Sequence, residues 1–277
     1  FVDRLMGDIM SSADGILLRS LSDNLSLLAE ASPGVFVKSI QNAIENKKVE
    51  GFFEQENDLL HSTTDLPYLL WALERVAWMP EYLTSVVRII CQLINVSPNE
   101  LPSSNTPFNS LVSIFRLWLP QTNATIEERR QILEILKKEY PNIAFSLFKS
   151  LVYKHHDTAF NSSKMRWRLF SETREAQITH QELHYMYAYA VDTLIELARG
   201  ADISRALVIT DKLDTVNWDK IDPMLDCLES YLNETEENKA RVYHSLRKLV
   251  GRHRTYHYTN WAMPEAVLTK IEKTAIK

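Results

Sequence analysis

The stretch TDLPYLLWALERVAWMPEYLTSVVRIICQLINVS, residues 64–97, reads as two helices with almost nothing between them. Thr64 or Asp65 is placed to cap the first, and Pro67 sits in its first turn, where a missing N–H costs nothing. Pro80 opens the second helix directly behind Met79. Helix following helix without a loop is the theme of the chain, and the apolar period is helical nearly everywhere.

Upstream, DGILLRSLSDNLSLLAEA (14–31) puts Leu17, Leu21, Leu25 and Leu28 on one face, and SPG at 32–34 breaks it. VFVKSIQNAIEN (35–46) follows with Phe36, Ile40 and Ile44, and 47–61 is less regular. Downstream, PNELPSSNTP (98–107) has the proline and turn chemistry of a loop. FNSLVSIFRLWL (108–119) then repeats apolar residues at 108, 111, 115 and 118, with Pro120 as its expected stop. TIEERRQILEILKKEY (125–140) opens with Thr125 and Glu128 in capping-box spacing and closes with Lys137 and Lys138 at the negative end of the helix dipole.

Pro141 starts another helix, to about residue 154. The polar segment 155–178 is expected to form a hinge or irregular connection. Thr179 and Glu182 make a second capping box before LHYMYAYAVDTLIELARG (183–200), with Gly200 placed past the helix end. Helices are expected at about 203–214 and 219–233, then over 234–254, and a last one opens at Pro264. RALVITDKL (205–213) is the best strand candidate, and its helical neighbours decide it as helix.

Composition agrees. Sheets, tight hairpins and phosphate loops use glycine, and the chain has six. The fold class predicted is all-α, with about thirteen helices as antiparallel pairs stacked in a TPR/HEAT-like right-handed solenoid. Residues 1–277 read as one helical-repeat region. The start at Phe1 and the end at Lys277 inside a helical pattern lead to the expectation of a fragment of a longer chain.

Charge and cysteine content narrow the functions. A net charge of -5 argues against nucleic acid, which needs a basic surplus or face. Cys91 and Cys227 lie in apolar helical stretches and read as reduced core residues, so a cytoplasmic location is expected. No run approaches the length of a membrane span, and no membrane partner is expected.

Motifs for chemistry are sparse. HRTYHYTNWAMP (253–264) sets His253 and His257 at i,i+4, half of a metal site if the helix continued past Gly251 and Arg254. The poor helix formers from Thr255 to Asn260 argue for fraying there, and the arginines beside the pair disfavour a cation. HQELH (180–184) departs from H-E-x-x-H at Gln181, where the general base belongs, and Glu182 already serves the capping box. There is no G-x-x-x-x-G-K-[ST] and no G-x-S-x-G. Most of the tyrosine-rich stretch 183–194 reads as core, since Leu183, Met186, Tyr187, Ala190, Leu194 and Leu197 share a face, while Tyr185 and Tyr189 fall away from it. No catalytic residue, metal or cofactor is assigned, and the segment is not expected to be an enzyme.

KMRWR (164–168) stands apart, outside the strongest helices, with Arg166 and Arg168 bracketing Trp167. Arg and Trp are enriched where proteins bind tightly. Arg166, Trp167 and Arg168 are the first candidates for protein binding, and Arg252 and Arg254 the second. The bland alternative is an arginine pair bracing a core tryptophan. Trp78/Pro80, Trp118/Pro120 and Trp261/Pro264 likewise read as wedge-filling corners between helices.

Three stretches carry a family resemblance. LLWALERVAWMPEYLTSVVRIICQLINVSP (69–98), NTPFNSLVSIFRLWLPQTNATIEERRQIL (105–133) and LRKLVGRHRTYHYTNWAMPEAVLTKIE (246–272) resemble, in that order, the helical C-terminal sensor region of large bacterial STAND-type NTPases. That class includes antiphage defence proteins. The resemblance implies an upstream NTPase and effector as the rest of the parent chain, a sensor role for the helices, and a protein ligand such as a phage protein. It supplies no catalytic residues, and it makes 253–264 a structural corner. The alternatives are a structural spacer between effector and oligomerisation parts, or a stand-alone helical metal-dependent enzyme.

Overall fold

Proline opens helix after helix. It stands at the first or second position of five of them, Pro33, Pro67, Pro80, Pro107 and Pro141, where its fixed φ suits the first turn and no N–H is lost. The computed structural model describes residues 1–12, 14–57, 62–98, 101, 104–152, 158–159, 162, 164–167, 178–231 and 235–276. The chain is all-α. Among the described residues the helices are α1 (Val2–Ser12), α2 (Gly15–Ser20), α3 (Leu25–Ala31), α4 (Pro33–Glu45), α5 (Leu66–Val76), α6 (Pro80–Val96) and α7 (Pro107–Phe115). They continue as α8 (Ile126–Glu139), α9 (Pro141–Leu151), α10 (His180–Ala198), α11 (Ile203–Lys212), α12 (Ile221–Glu229), α13 (Glu236–Thr255) and α14 (Glu265–Ile276).

The contacts form two compact units, one of Phe1–Leu147 with Thr158–Leu183, the other of Phe148–Asp157 with His184–Lys277. In the first, α3 packs on α4 and α5 on α6. These pairs then layer, α3 on α5 on α7 and α4 on α6 on α8. The layering follows from the sequence: α5 and α6 are apolar on more than one face, so each buries against a partner and a neighbouring pair. Phe36, Ile40, Leu69, Leu73, Val76, Leu83, Ile90 and Ile114 are fully buried. Each such side chain contributes about 1.5–3 kcal/mol of transfer free energy.

The second unit repeats the scheme. α11 packs on α12, α13 on α14, α11 on α13 and α12 on α14, around Leu194, Ile209, Met224, Leu246 and Ile271. Cys91 and Cys227 are free and buried, one in each unit, and burial pushes the Cys91 thiol up to about 12.

Several boundaries differ from expectation. The 14–31 stretch is not one helix: it breaks at Leu21 into α2, a 3-10 turn over Ser22–Asn24, and α3. The hydroxyls of Ser20 and Ser22 donate to the carbonyls of Leu17 and Arg19, competing with helical bonds. α7 stops at Phe115, short of Pro120, because Arg116 turns to an extended conformation and carries Gln121 and Thr122 into the interior. α13 ends at Thr255, within a residue of the expected end at 254. Within 47–61 lie a 3-10 turn, Glu50–Phe53, and one strand of a two-residue antiparallel ladder pairing Glu56 with Thr63 and Asn57 with Ser62. The hinge expected at 155–178 lies for the most part outside the described residues.

Both capping boxes form. Thr125 and Glu128 satisfy each other's backbone groups, as do Thr179 and Glu182. Gly200 takes a φ of 67° just past α10. Lys47 adopts a similar left-handed φ of 57° after α4 without being glycine. Around it, Lys48 N–H donates to Ala43 O at 2.8 Å and Lys47 N–H to Ile44 O at 3.0 Å, the bond pair that closes a Schellman motif.

Candidate functional site

Glu30 sits near the end of α3 and is only 2% exposed. A buried carboxylate must be paired and hydrogen-bonded. Its Oε1 accepts from Arg75 Nη1 on α5 at 2.5 Å. Its Oε2 accepts two backbone N–H groups, from Arg166 at 3.0 Å and Trp167 at 3.1 Å. Arg166 and Trp167 are therefore held by their main-chain amides, and their side chains take no part in those bonds.

Neighbouring residues fix the same segment. Met165 is buried. Lys164 Nζ lies 4.5 Å from the centre of the Trp78 ring, a cation–π contact. Trp78 Nε1 donates to Ser162 Oγ at 3.1 Å, and Ser162 N–H donates to Gln121 Oε1 at 2.7 Å. The Trp78 corner thus supports this segment as well as filling a wedge.

On this support Arg166 is exposed, and Trp167 is 78% exposed. A tryptophan braced against helices would be buried, so the bracing alternative does not describe Trp167. Arg168 lies outside the described residues. The residue that sequence reasoning missed is Glu30. Its signal was there in LSLLAEA, an acid in the last turn of an otherwise apolar helix, but the two elements that pair it lie far away in sequence.

The second pair of candidates has other engagements. Arg254 forks to two carboxylates of α14, donating from Nη2 to Glu265 Oε1 at 2.6 Å and to Glu272 Oε2 at 2.9 Å. Those bonds hold its guanidinium above the usual arginine range and pull Glu272 down. Arg252 pairs with Asp214 and lies 6.0 Å from the Trp261 ring centre. Arg254 thus ties α13 to α14, and Arg252 ties the end of α13 to the chain after α11.

The histidines of that corner are separated in role. His253 is 2% exposed, accepts Met263 N–H through Nδ1 at 3.1 Å, and packs edge-on to Trp261 with centroids 5.2 Å apart. His257 lies past the end of α13, exposed, with Nδ1 3.1 Å from Arg254 O. Burial, with Arg252 beside it, holds His253 below the ordinary histidine range, against the pull of Asp214. His180 begins α10, where Glu182 is occupied by Thr179. Among the described residues no three His, Cys, Asp or Glu side chains are grouped to hold a metal ion. Among them, too, no helix is long and apolar enough to cross a membrane.

No family model, curated protein or solved structure matches the chain.

Proposed function

We propose that this chain is a recognition segment without catalysis of its own, and that it binds a protein ligand through the 164–167 segment. The observation that carries the reading is the contrast at Trp167. Its backbone is fixed by a buried carboxylate, and its ring is left in water. Exposing a large aromatic on a rigid support is unfavourable for the free molecule and favourable for a complex, because little ordering remains to be done on binding.

In its finer form the proposal follows the resemblance of the three quoted stretches. The helix pairs, stacked as a solenoid, are the sensor part of a cytoplasmic bacterial STAND-type NTPase of antiviral defence, and the ligand is a phage protein. Arg166 and Trp167 serve as anchors. Arg168 stays a candidate on sequence alone, Arg254 is assigned to holding α14 against α13, and Arg252 to its pair with Asp214.

The test is capture of a partner from phage-infected cells, followed by calorimetry with the purified partner. Arg166→Ala with Trp167→Ala should weaken the complex by more than about 2 kcal/mol and leave the melting temperature nearly unchanged. Full affinity in the double variant would show that the partner is bound elsewhere.

A further inference from the structure

Residues 162–167 lie on the helices of the first unit as a bound peptide lies on its receptor. Among the described residues of that stretch none belongs to a helix or a strand. What holds them is mostly their own main chain. Ser162 N–H donates to Gln121 Oε1 at 2.7 Å, and the N–H groups of Arg166 and Trp167 converge on Glu30 Oε2. Two successive amides on one oxygen are the pattern of a backbone nest, with the Glu30 carboxylate as its anion.

Main-chain bonds give affinity that is indifferent to sequence, and contacts with individual side chains add the preference. Two such contacts are present. Lys164 Nζ stands 4.5 Å from the centre of the Trp78 ring, and Met165 is buried. Arg166 and Trp167 are exposed, so the helices beneath do not read their side chains.

The acceptors do not depend on the segment for their aim. Glu30 on α3 is oriented by Arg75 on α5, which bonds its Oε1 at 2.5 Å. Gln121, after α7, is oriented through its own Nε2, which donates to Leu119 O at 3.0 Å. If the segment leaves, Glu30 still neutralises Arg75, and no unpaired ion remains in the helices. Acceptors aimed in advance leave little ordering to be done when a peptide binds.

We propose that α3, α5 and the chain after α7 form a peptide-binding groove, that residues 162–167 fill it from within the same chain, and that a partner's non-helical segment takes their place. The chemistry of that segment follows from the contacts: a lysine or arginine for the Trp78 ring, followed directly by an apolar residue of methionine size. Proline is excluded from the three positions whose N–H groups are bound. The proposal does not rest on Trp167 as an anchor. A ligand that grips Trp167 leaves the segment seated, whereas a ligand of the groove displaces it.

The probe is acetyl-Ser-Ser-Lys-Met-Arg-Trp-Arg amide, the sequence of 162–168, titrated by calorimetry into the whole chain carrying Lys164→Ala and Met165→Asp, which empties the groove. Saturable one-to-one binding is expected, at least about tenfold tighter than to the wild type, where the tethered segment competes at high effective concentration. A probe with alanines for its Arg-Trp pair should bind within about threefold of the parent, and one N-methylated at those two residues should lose at least about tenfold. The wild type supplies a second readout. Excess parent probe should accelerate hydrogen exchange at the amides of Arg166 and Trp167, and the N-methylated probe should not. Failure of a folded, emptied chain to bind would overturn the proposal. Where that chain does not fold, unchanged exchange in the wild type would do the same. Equal binding of the N-methylated probe, or loss of binding with the alanine probe, would place recognition in the exposed side chains and sink the groove.

Discussion

Glu30 accepts the backbone N–H of Trp167 at 3.1 Å, although 137 positions separate them in the chain. The bond ends a relay that begins at Arg75: guanidinium to carboxylate, carboxylate to two amides. It couples the core of the first unit to its most exposed tryptophan among the described residues.

Removing the carboxylate should therefore affect both ends. Glu30→Ala leaves the Arg75 charge buried without its partner and orphans the amides of Arg166 and Trp167. Breaking a buried pair on one side typically costs about 3–5 kcal/mol. Urea denaturation should show a loss of that order, and hydrogen exchange at the amides of 166 and 167 should accelerate. Glu30→Gln, which keeps an acceptor for the amides, should lose less protection at those sites than the alanine variant. Equal protection in wild type and Glu30→Ala would mean that the segment is held by other contacts.

The contrast between what the sequence revealed and what it hid is physical. Helix identity was legible because it rests on local periodicity and caps. Thr125/Glu128, Thr179/Glu182 and Gly200 act within a few residues of themselves. The break at Leu21 was hidden because serine hydroxyls either continue or interrupt a helix, according to which carbonyl they reach. The end of α7 was hidden because the burial of Gln121 depends on Ser162, far along the chain. The candidate site was half legible. KMRWR stood out by composition, but its support by Glu30 is a long-range pairing that no spacing rule encodes. The groove beneath that segment was not visible at all, since its walls come from three stretches that meet only on folding.

Lys47 offers a local test of backbone strain. Its φ of 57° closes α4 in the position that glycine usually fills, and an L side chain there crowds its own carbonyl. Lys47→Gly should stabilise the chain by about 0.5–1 kcal/mol, after allowing for the greater freedom of glycine in the unfolded state. The measurement is the urea midpoint at constant slope. A destabilised glycine variant would show that the lysine stem contributes packing that outweighs the strain.

His253 should make stability depend on pH. Its folded pKa lies below the unfolded value, mainly through burial, with Arg252 adding to the depression and Asp214 opposing it. Near neutral pH and above, both states hold the ring neutral, and the contribution is flat. As pH falls below the unfolded value of about 6.5, the unfolded state takes up the proton first and stability declines. The decline levels off once pH has passed below the folded pKa. The difference in urea midpoint between pH 7.5 and pH 5.5 should therefore be smaller in His253→Asn than in wild type. A wild-type profile as steep as the variant's would mean that His253 titrates normally when folded.

Arg166 stood among the first candidates and Arg254 among the second, and their surroundings now assign them opposite behaviour. Arg254 binds both Glu265 and Glu272, so its loss removes a two-carboxylate brace between α13 and α14. These groups are exposed, and exposed ion pairs are screened by salt. Arg254→Ala should thus lower the melting temperature modestly at low ionic strength, less so at high salt, and leave partner affinity unaltered. Arg166→Ala should do the reverse. Its backbone bond to Glu30 survives truncation of the side chain, so the melting temperature should hold while affinity falls. A two-by-two comparison of the single variants, each measured by thermal denaturation at two salt concentrations and by calorimetry with the captured partner, separates bracing from recognition. Loss of affinity in Arg254→Ala without any change in melting temperature would move the binding surface to the α13–α14 corner.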